Sequence, residues 1–440
     1  MQDHFFALAD FLTGLLQGDE RYTLSYGGES SDFVRFNRGR VRQCGHVEQG
    51  QLQLDLISGQ RHAGAQLTLA ADGAVDRERL AELVRELREV RAVLPEDPHL
   101  FVSEQAATRL TPAQADLPPA ESMVDAVLER ARGDDLVGVL AAGPVRAGFA
   151  NSFGQRAWHT RTSFNLDWTL YAGGDKAAKE RYAGAHWAPD ELTERMDEAR
   201  RALSVVRQAP LTLAPGRYRA YLAPQALEEI VGMLGWGGFG LRAQRTKTTP
   251  LLRLTEGETE LHPAVTLVEN TEAGLAPPFQ AQGFARPPRV VLIEHGKPQD
   301  ALVSPRSARE FDVAPNGADE SEMPLSLEMA GGSLPRADVL RALDTGLYIS
   351  NLWYLNWSDR NAARLTGMTR FATYWVERGR IQAPVNVMRF DDSVYRLLGE
   401  GLMALTQERE WLLDPQTYGS RSLRSMRLPG ALVDGMQLTL

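Results

Sequence analysis

The sequence has one cysteine and lacks the long apolar runs and basic leader that would indicate a membrane or an export route. Cys44 is the only cysteine among 440 residues, which excludes a disulfide framework and a cluster of thiolate ligands. No segment approaches the roughly 18 uninterrupted apolar residues of a membrane span. The first twenty residues predict an amphipathic helix and not a signal peptide. We therefore expect a reducing, cytoplasmic location and no membrane partner.

The sequence also has fewer basic than acidic residues. The chain has 48 Lys and Arg against 57 Asp and Glu, a formal net charge of −9, which argues against a nucleic-acid partner. We interpret the small cluster of Arg421, Arg424 and Arg427 as a solvated face.

Signatures of hydrolytic enzymes are also scarce. None of the eight histidines lies four or five residues from another with a glutamate beside the first, so the zincin pattern is absent. A metal site assembled from distant histidines is one alternative that stays open. Cys44 and His46 share one face of a predicted strand, either as a structural pair or as a catalytic dyad.

The first half of the chain predicts helices around an antiparallel sheet. Residues 22–69 alternate apolar and polar side chains between glycine turns, which is typical of a meander. The helices predicted after Phe5–Leu15 are Asp76–Val93, Ser122–Ala131 and Pro189–Arg207. Further strands are predicted at Leu136–Ala142, Arg146–Asn151 and Arg156–Leu170, and a proline-rich surface connection at 95–119.

Within this half, aromatic and polar side chains interleave between Ala157 and Trp168. A half-buried strand of a large sheet and a binding surface are the two interpretations of this pattern. The helix that begins at Pro189 ends before Pro210, which cannot continue it. We place the boundary between two domains, 1–208 and 209–440, at this point.

The second half is predicted to be rich in strands. Strands are expected at 265–270 and 290–294, with polar loops at 242–260 and 304–335. Asp319, Glu320 and Glu322 are expected in a mobile part of the second loop. The predicted fold class is α+β, with a mixed N-terminal domain and a β-rich C-terminal domain.

The stretch Arg217–Gly240 combines a short strand, a helix and a glycine-rich end. Pro224 suits the first turn of a helix because it has no N–H to leave unpaired. The spacing of the apolar residues predicts that one face of this helix is buried: Ala226, Leu227, Ile230, Val231 and Leu234.

This stretch resembles the metal-bearing helix of the TldD/PmbA family, the "modulators of DNA gyrase". In the TldD branch the helix reads H-E-x-x-x-H, and its histidines hold a zinc-type ion. Aligned on Val231-Gly232, the three positions are Glu228, Glu229 and Met233 here, and a register shifted by three residues supplies no histidine either. The resemblance thus implies degenerate metal-site positions, with no metal ligand, catalytic residue or cofactor, as in the PmbA (TldE) branch.

Other blocks resemble the same family in the same order. They are the opening sheet at 31–69, the segment 347–387 with Tyr374-Trp375-Val376-Glu377 and Gly379, and the closing strand at 428–433. Gly232 is expected either to preserve a local distortion of the helix or to admit a close neighbouring helix. Met233 is expected to fill the place of the second histidine, and surface charge is the simplest interpretation of Glu228 and Glu229.

The resemblance implies a non-catalytic, TldE-like subunit that pairs with a metal-bearing TldD-like subunit in a peptidase for unfolded peptides. Such a subunit would shape the substrate chamber and offer strand edges to peptides. Two alternatives are a homodimeric peptide-binding or scaffold protein without a protease partner, and a hydrolase with a metal site unlike the family's.

Overall fold

The computed structural model of the chain describes residues 1–112, 116–174 and 176–439, which form helices and strands around two β-sheets. The helices are α1 Gln2–Leu15, α2 Gly73–Val93, α3 Ala120–Arg130, α4 Pro189–Val206, α5 Pro224–Gly235, α6 Leu241–Arg245, α7 Leu252–Thr255, α8 Pro305–Phe311 and α9 Val339–Leu343. The strands of the first sheet are β1 Arg21–Asn37, β2 Arg40–Ser58, β3 Arg61–Thr68, β4 Thr108–Leu110, β5 Asp135–Asn151, β6 Arg156–Tyr171 and β7 Ala177–Gly184.

The second sheet takes its strands from the rest of the chain. They are β8 Gly216–Leu222, β9 Leu267–Asn270, β10 Arg289–Glu294, β11 Lys297–Pro298, β12 Ser326–Met329, β13 Gly346–Asp359, β14 Arg364–Glu377, β15 Arg380–Pro384, β16 Arg389–Ser393, β17 Leu402–Leu413 and β18 Ser425–Leu438. A 3-10 turn at Arg336–Asp338 and a π-turn at Arg396–Glu400 complete the regular structure.

The first sheet confirms the predicted meander and extends it. Its strand order is β3-β2-β1-β5-β6, with β7 antiparallel and β4 parallel to β6. The two strands expected between Leu136 and Asn151 are one strand, β5. Pro144, which has no N–H, falls where the pairing of β5 with β1 is interrupted, so the proline does not end the strand. Strand β7 was not predicted.

Both faces of the first sheet are covered. On one face, α1 and α2 pack over side chains such as Leu24 and Trp158, and α3 and α4 pack over others such as Trp168. The opposite face meets the second half of the chain, where Ala157 contacts Phe279. The strand is buried on both sides from Ala157 to Thr160, and partly exposed side chains alternate with buried ones from Arg161 to Trp168. The half-buried strand thus holds for the second part of the segment, and no part of it is an exposed surface.

The second sheet has parallel and antiparallel pairs in the order β11-β10-β9-β12-β18-β16-β14-β13-β8. Strand β8 lies between β13, to which it is parallel, and β18, to which it is antiparallel. Helix α5 follows β8 directly and packs on this sheet within the largest apolar core. The α+β fold class is thus confirmed.

Two segments expected to be loops contain regular structure. Residues 242–260 hold most of α6 and all of α7, and residues 304–335 hold α8 and β12. Glu322 is 4% exposed, so its expected mobility is wrong. Its carboxylate accepts hydrogen bonds from the backbone N–H groups of Arg242 and Ser304, both at 2.9 Å. A single buried acceptor thus joins the starts of α6 and α8.

Each sheet draws its strands from one side of residue 208, but the division into two domains stays a prediction. Residues 113–115 of the expected connection at 95–119 lie outside the described residues, and the rest carries one short strand, β4. In the described part of the chain, no helix combines the length and apolar character needed to cross a membrane.

Candidate functional site

Helix α5 lies between the second sheet and the edge of the first. Its predicted apolar face is confirmed, because Ala226, Leu227, Ile230, Val231 and Leu234 are each fully buried. Successive residues of a helix are about 100° apart, so the opposite side of α5 carries Glu228 and Glu229 in different directions. The helix thus presents two adjacent carboxylates away from the core that holds it.

Glu228 points at the first sheet and is not the surface charge that we expected. Its side chain is 15% exposed and accepts a 2.8 Å hydrogen bond from the Arg181 guanidinium on β7. Arg181 is itself 9% exposed and lies 3.5 Å from Asp167, which also pairs with Lys179. Burial raises the pKa of Glu228, and the arginine opposes that rise. The pair joins the two halves of the chain.

Glu229 is also partly buried, but its environment differs. Among the described residues, no lysine, arginine or histidine forms an ion pair with its carboxylate, and no donor forms a hydrogen bond with it. Burial, with the neighbouring charge of Glu228, raises the pKa of Glu229 to about 6, although Arg181 and Lys179 act in the other direction. A carboxylate in this state is poised to gain a cationic partner.

A cavity of about 560 Å³ opens beside these residues. We call it the α5 cavity. Glu228, Glu229, Gly232 and Met233 line it from α5, and Arg181 lines it from β7. Its wall includes Leu327 and Met426, and three exposed aromatic side chains belong to it: Trp236, Trp353 and Tyr354. Met233 is 9% exposed and lies in the wall of the cavity, and its filling of the second histidine's place stays a prediction.

Gly232 sits in an α-helix that is regular from Pro224 to Gly235. A Cβ atom added to it would meet only the Met426 methyl group, at 3.8 Å. Neither of our expectations is met, because the helix is not distorted there and, in the described part of the chain, no neighbouring helix lies within 4 Å of the added Cβ. Gly232 instead leaves free space at the wall of the α5 cavity.

A larger cavity, about 900 Å³, lies near the edge of the first sheet. Its partly buried titratable groups are paired: His62 bonds to Asp55 at 3.0 Å, Arg306 bonds to Asp97 at 2.5 Å, and Asp319 lies 3.7 Å from Arg286. Glu96 and Glu320, which also line it, are exposed. The hydrogen bond that His62 donates to Asp55 raises the pKa of His62, which further favours this pairing. The α5 cavity is smaller but holds the unpaired carboxylate and the aromatic rim, so it is the stronger candidate for a binding site.

Comparison with known proteins places the second half of the chain in a family. Residues 215–440 match the family model described as the PmbA/TldA metallopeptidase C-terminal domain. The chain belongs to the TldD/PmbA family. The match includes β8, α5 and every later strand, and so the whole second sheet. The α5 cavity therefore lies against the part of the chain that carries the family's pattern.

Solved structures extend the similarity of fold over the whole chain. A modulator of DNA gyrase from Thermotoga maritima shares 15% identity, covers 99% of both chains and has a TM-score of 0.77. TldE from Thermococcus kodakarensis shares 14% identity, covers 100% of both chains and has a TM-score of 0.76. A modulator of DNA gyrase from Bacteroides thetaiotaomicron shares 15% identity over 99% of this chain and 98% of its own, with a TM-score of 0.76. No curated protein matches the chain.

The metal of the TldD branch does not fit the residues at these positions. Glu228 holds a guanidinium where the first ligand of a metal ion would stand, and Met233 offers a thioether in place of an imidazole. Within residues 1–112, 116–174 and 176–439, no group of three or more His, Cys, Asp or Glu could hold a metal ion. We therefore derive no metal-dependent step for this chain.

Several of the important residues were not singled out from the sequence. Arg181 lies on the unpredicted strand β7, and nothing in its neighbourhood marks it as the partner of Glu228. Arg421, assigned to a solvated face, is 7% exposed and donates to the Ser163 carbonyl at 2.7 Å and to the Gly143 carbonyl at 3.0 Å. Burial lowers the pKa of Arg421 to about 10.

The proposed pairing of Cys44 with His46 is replaced by other contacts. His46 Nδ1 lies 2.8 Å from Asp32 and its Nε2 lies 3.2 Å from Ser30. The His46 and Asp32 side chains are 52% and 47% exposed, so water reaches them freely. Cys44 is exposed on the same strand. This open surface supports a structural role for the group and not a catalytic dyad.

Proposed function

We propose that this chain is the non-catalytic, TldE-like subunit of a heteromeric metallopeptidase that acts on unfolded peptides. The observation that carries the proposal is the ion pair between Glu228 and Arg181, 2.8 Å long. Glu228 aligns with the first histidine of the metal-bearing pattern, and a positive guanidinium at that place disfavours a divalent cation. A metal-bearing TldD-like subunit would supply the ion, and the complex would act in the cytoplasm.

Open strand edges support a role in holding peptides and a partner. Strand β13 pairs with β8 only through Leu347–Ile349, and beyond that point its described strand partner is β14 alone. In β2, residues 40–49 pair with β1, whereas β3 pairs only from Gln51 onward. Such edges can accept an extended chain through main-chain hydrogen bonds. Arg40, Arg42 and Glu48 along β2 are the charges that limit unspecific pairing of an open edge.

The test is a measurement of metal content and peptide cleavage. The purified chain is assayed alone and mixed with a metal-bearing TldD-like subunit, and their association is followed by light scattering. We expect no stoichiometric metal in the chain alone and cleavage only in the mixture. Chelator-sensitive cleavage by the chain alone would favour a hydrolase with another metal site, and a homodimer without affinity for the TldD-like subunit would favour a scaffold protein.

A further inference from the structure

We propose that the α5 cavity binds the basic side chain of a peptide, with the Glu229 carboxylate pairing with the lysine ammonium or arginine guanidinium group. The inference deepens the proposed function, on which it rests for the peptide as ligand, by naming the class of residue that the site prefers. The two adjacent glutamates of α5 provide the first argument. Glu228 already has its cation in Arg181, whereas Glu229 has none within the described residues.

The balance of charge in the cavity favours a cation. The charged groups that line the cavity around Glu229 are Glu228 on the same helix, Arg181 on β7, and Asp414 and Arg424 on the segment between β17 and β18. Lys179 on β7 also acts on Glu229, but it is paired with Asp167 at 2.9 Å. With Glu229 included, three carboxylates face two arginines, and Arg181 is engaged by Glu228. A partly buried carboxylate without a partner loses hydration, and an incoming cation offsets that loss.

The shape and lining of the cavity fit a long side chain with an apolar stem. Lysine and arginine carry several methylene groups below the charge, and such stems pack along apolar surfaces. Met233, Leu327 and Met426 offer such a surface inside the cavity. Trp236 is 60% exposed, so an aromatic face is available to the stem and to the cation itself. Trp353 is 47% exposed, and its ring already carries the Arg370 guanidinium 3.9 Å from the ring centroid.

The strand edge indicates a peptide and not a small free amine. Trp353 and Tyr354 belong both to the cavity and to the part of β13 that has no strand partner on its second side among the described residues. A peptide backbone that adds to this edge would lie across the mouth of the cavity. One of its side chains could then enter toward Glu229, since successive side chains of a strand point to opposite sides.

The experiment compares peptides that differ only in one charge. An unfolded, otherwise neutral fluorescent peptide with one central lysine is titrated with the isolated chain at pH 7.5, and fluorescence anisotropy gives its dissociation constant. The same peptide with norleucine keeps the stem without the ammonium group. We expect the lysine peptide to bind at least about tenfold more tightly, as a charge-assisted hydrogen bond supports.

Two variants assign the preference to the carboxylate. Glu229→Gln keeps the shape of the side chain and removes its charge, and it should abolish the difference between the two peptides. Glu272→Gln, at an exposed site outside the cavity, should leave the difference unchanged. Urea unfolding of each variant shows that it is folded, so a loss of preference reports on recognition and not on collapse of the site.

The pH dependence of the lysine preference gives a second measurement, which would not change if Glu229 had only a structural role. The lysine preference should shrink as the pH falls from 7.5 to 5, because Glu229, whose pKa is raised to about 6, becomes protonated. Against the effect of burial, the pKa of Arg181 is raised by Glu228 and Asp167, so this cation stays charged over the range and the change follows the carboxylates that face it.

Three results would overturn the inference. They are equal affinity of the wild-type chain for both peptides, a lysine preference that survives Glu229→Gln, and binding of free n-butylamine as tight as that of the peptide. None of these measurements uses a partner subunit or a metal. The binding preference and the partner-dependent cleavage can therefore fail independently of each other.

Discussion

The two neighbouring carboxylates of α5, Glu228 and Glu229, lie in opposite electrostatic environments. Toward the first sheet, Glu228 meets Arg181 in a buried contact that closes the gap between the two halves of the chain. Toward the α5 cavity, Glu229 is partly buried without a cation. Buried charges that are paired hold a fold together, and a buried charge left unpaired costs stability. Both carboxylates line the α5 cavity, and the contrast indicates that the paired one is structural and the unpaired one is available for binding.

Breaking the ion pair between Glu228 and Arg181 should have the largest effect on the free energy of unfolding. Arg181→Met removes the cation and leaves Glu228 buried without a partner, which should lower the free energy of unfolding by about 3–5 kcal/mol. Urea unfolding measures the loss. The double variant Arg181→Met/Glu228→Gln should recover most of it, because no uncompensated charge remains. Equal losses in the single and double variants would show that packing, and not charge, dominates this contact.

Acid should weaken the contact between the two sheets at a second point. His159 is 1% exposed, its Nε2 lies 2.9 Å from the Leu275 carbonyl, and burial lowers its pKa to about 4. The pKa of an unfolded histidine is about 6.5, so between pH 6.5 and pH 4 the native state binds fewer protons than the unfolded state. The stability is fully present above about pH 6.5 and is lost as the pH falls through 4, by about 3 kcal/mol in all.

The control for this effect is His159→Gln, which retains an amide donor and does not titrate. Unfolding free energies of both proteins are measured from pH 7.5 to 4. The difference between them should change across this window, since only the wild-type chain has the histidine. Parallel curves would rule out His159 as the source of acid sensitivity.

The contribution of Glu229 to stability should change with pH in the opposite direction to that of His159. The pKa of Glu229, raised from 4.5 to about 6, means that the native state binds more protons than the unfolded state in that range. Its contribution to stability is thus present below pH 4.5 and is lost as the pH rises through 6. Glu229→Gln should therefore stabilise the chain by about 1–2 kcal/mol at pH 7.5 and by much less at pH 4.5.

Urea unfolding at both pH values checks this, with Glu272→Gln as a matched substitution at an exposed site. If Glu229→Gln instead destabilises the chain at pH 7.5, the Glu229 carboxylate has a partner in solution. Glu228 and Glu229 would then both be paired.

The smallest effect is expected at Gly232. Its φ and ψ angles are helical and an added Cβ would meet only Met426 at 3.8 Å, so Gly232→Ala should stabilise the chain by about 0.5–1 kcal/mol. Thermal unfolding measures the gain. The added methyl group would also narrow the α5 cavity, and a loss of peptide affinity together with higher stability would identify Gly232 as a residue that serves binding. Lower stability would show that the helix is strained at this position.

Local patterns in the sequence were sufficient for the elements close to the site. Helix α5 was predicted from Pro224 and the spacing of five apolar residues, and its bounds agree with the glycines that follow it. The meander from β1 to β3 followed from alternation between glycine turns. The family was recognised from several blocks in the same order along the chain, each of which falls on strands or on helix α5.

Contacts between distant segments were not predictable in this way. Arg181 and Glu228 are 47 residues apart, and Arg421 and Ser163 are 258 apart. The charges of Glu228 and Arg421 suggested exposure, since charged residues are rarely buried unless they are paired. Only the approach of β7 to α5, and of the segment after β17 to the first sheet, provides the partners that make burial possible.

The sequence by itself determined the class of fold, the family and the loss of histidines at the positions of the metal-bearing pattern. These follow from periodicity and residue identity, which are local properties of the chain. The tertiary structure alone decided that, in one cavity with an aromatic rim, Glu228 is paired with Arg181 while Glu229 has no cation among the described residues. The physical reason is that the state of a carboxylate depends on the solvent and charges around it, and folding brings these from elements far apart in the chain.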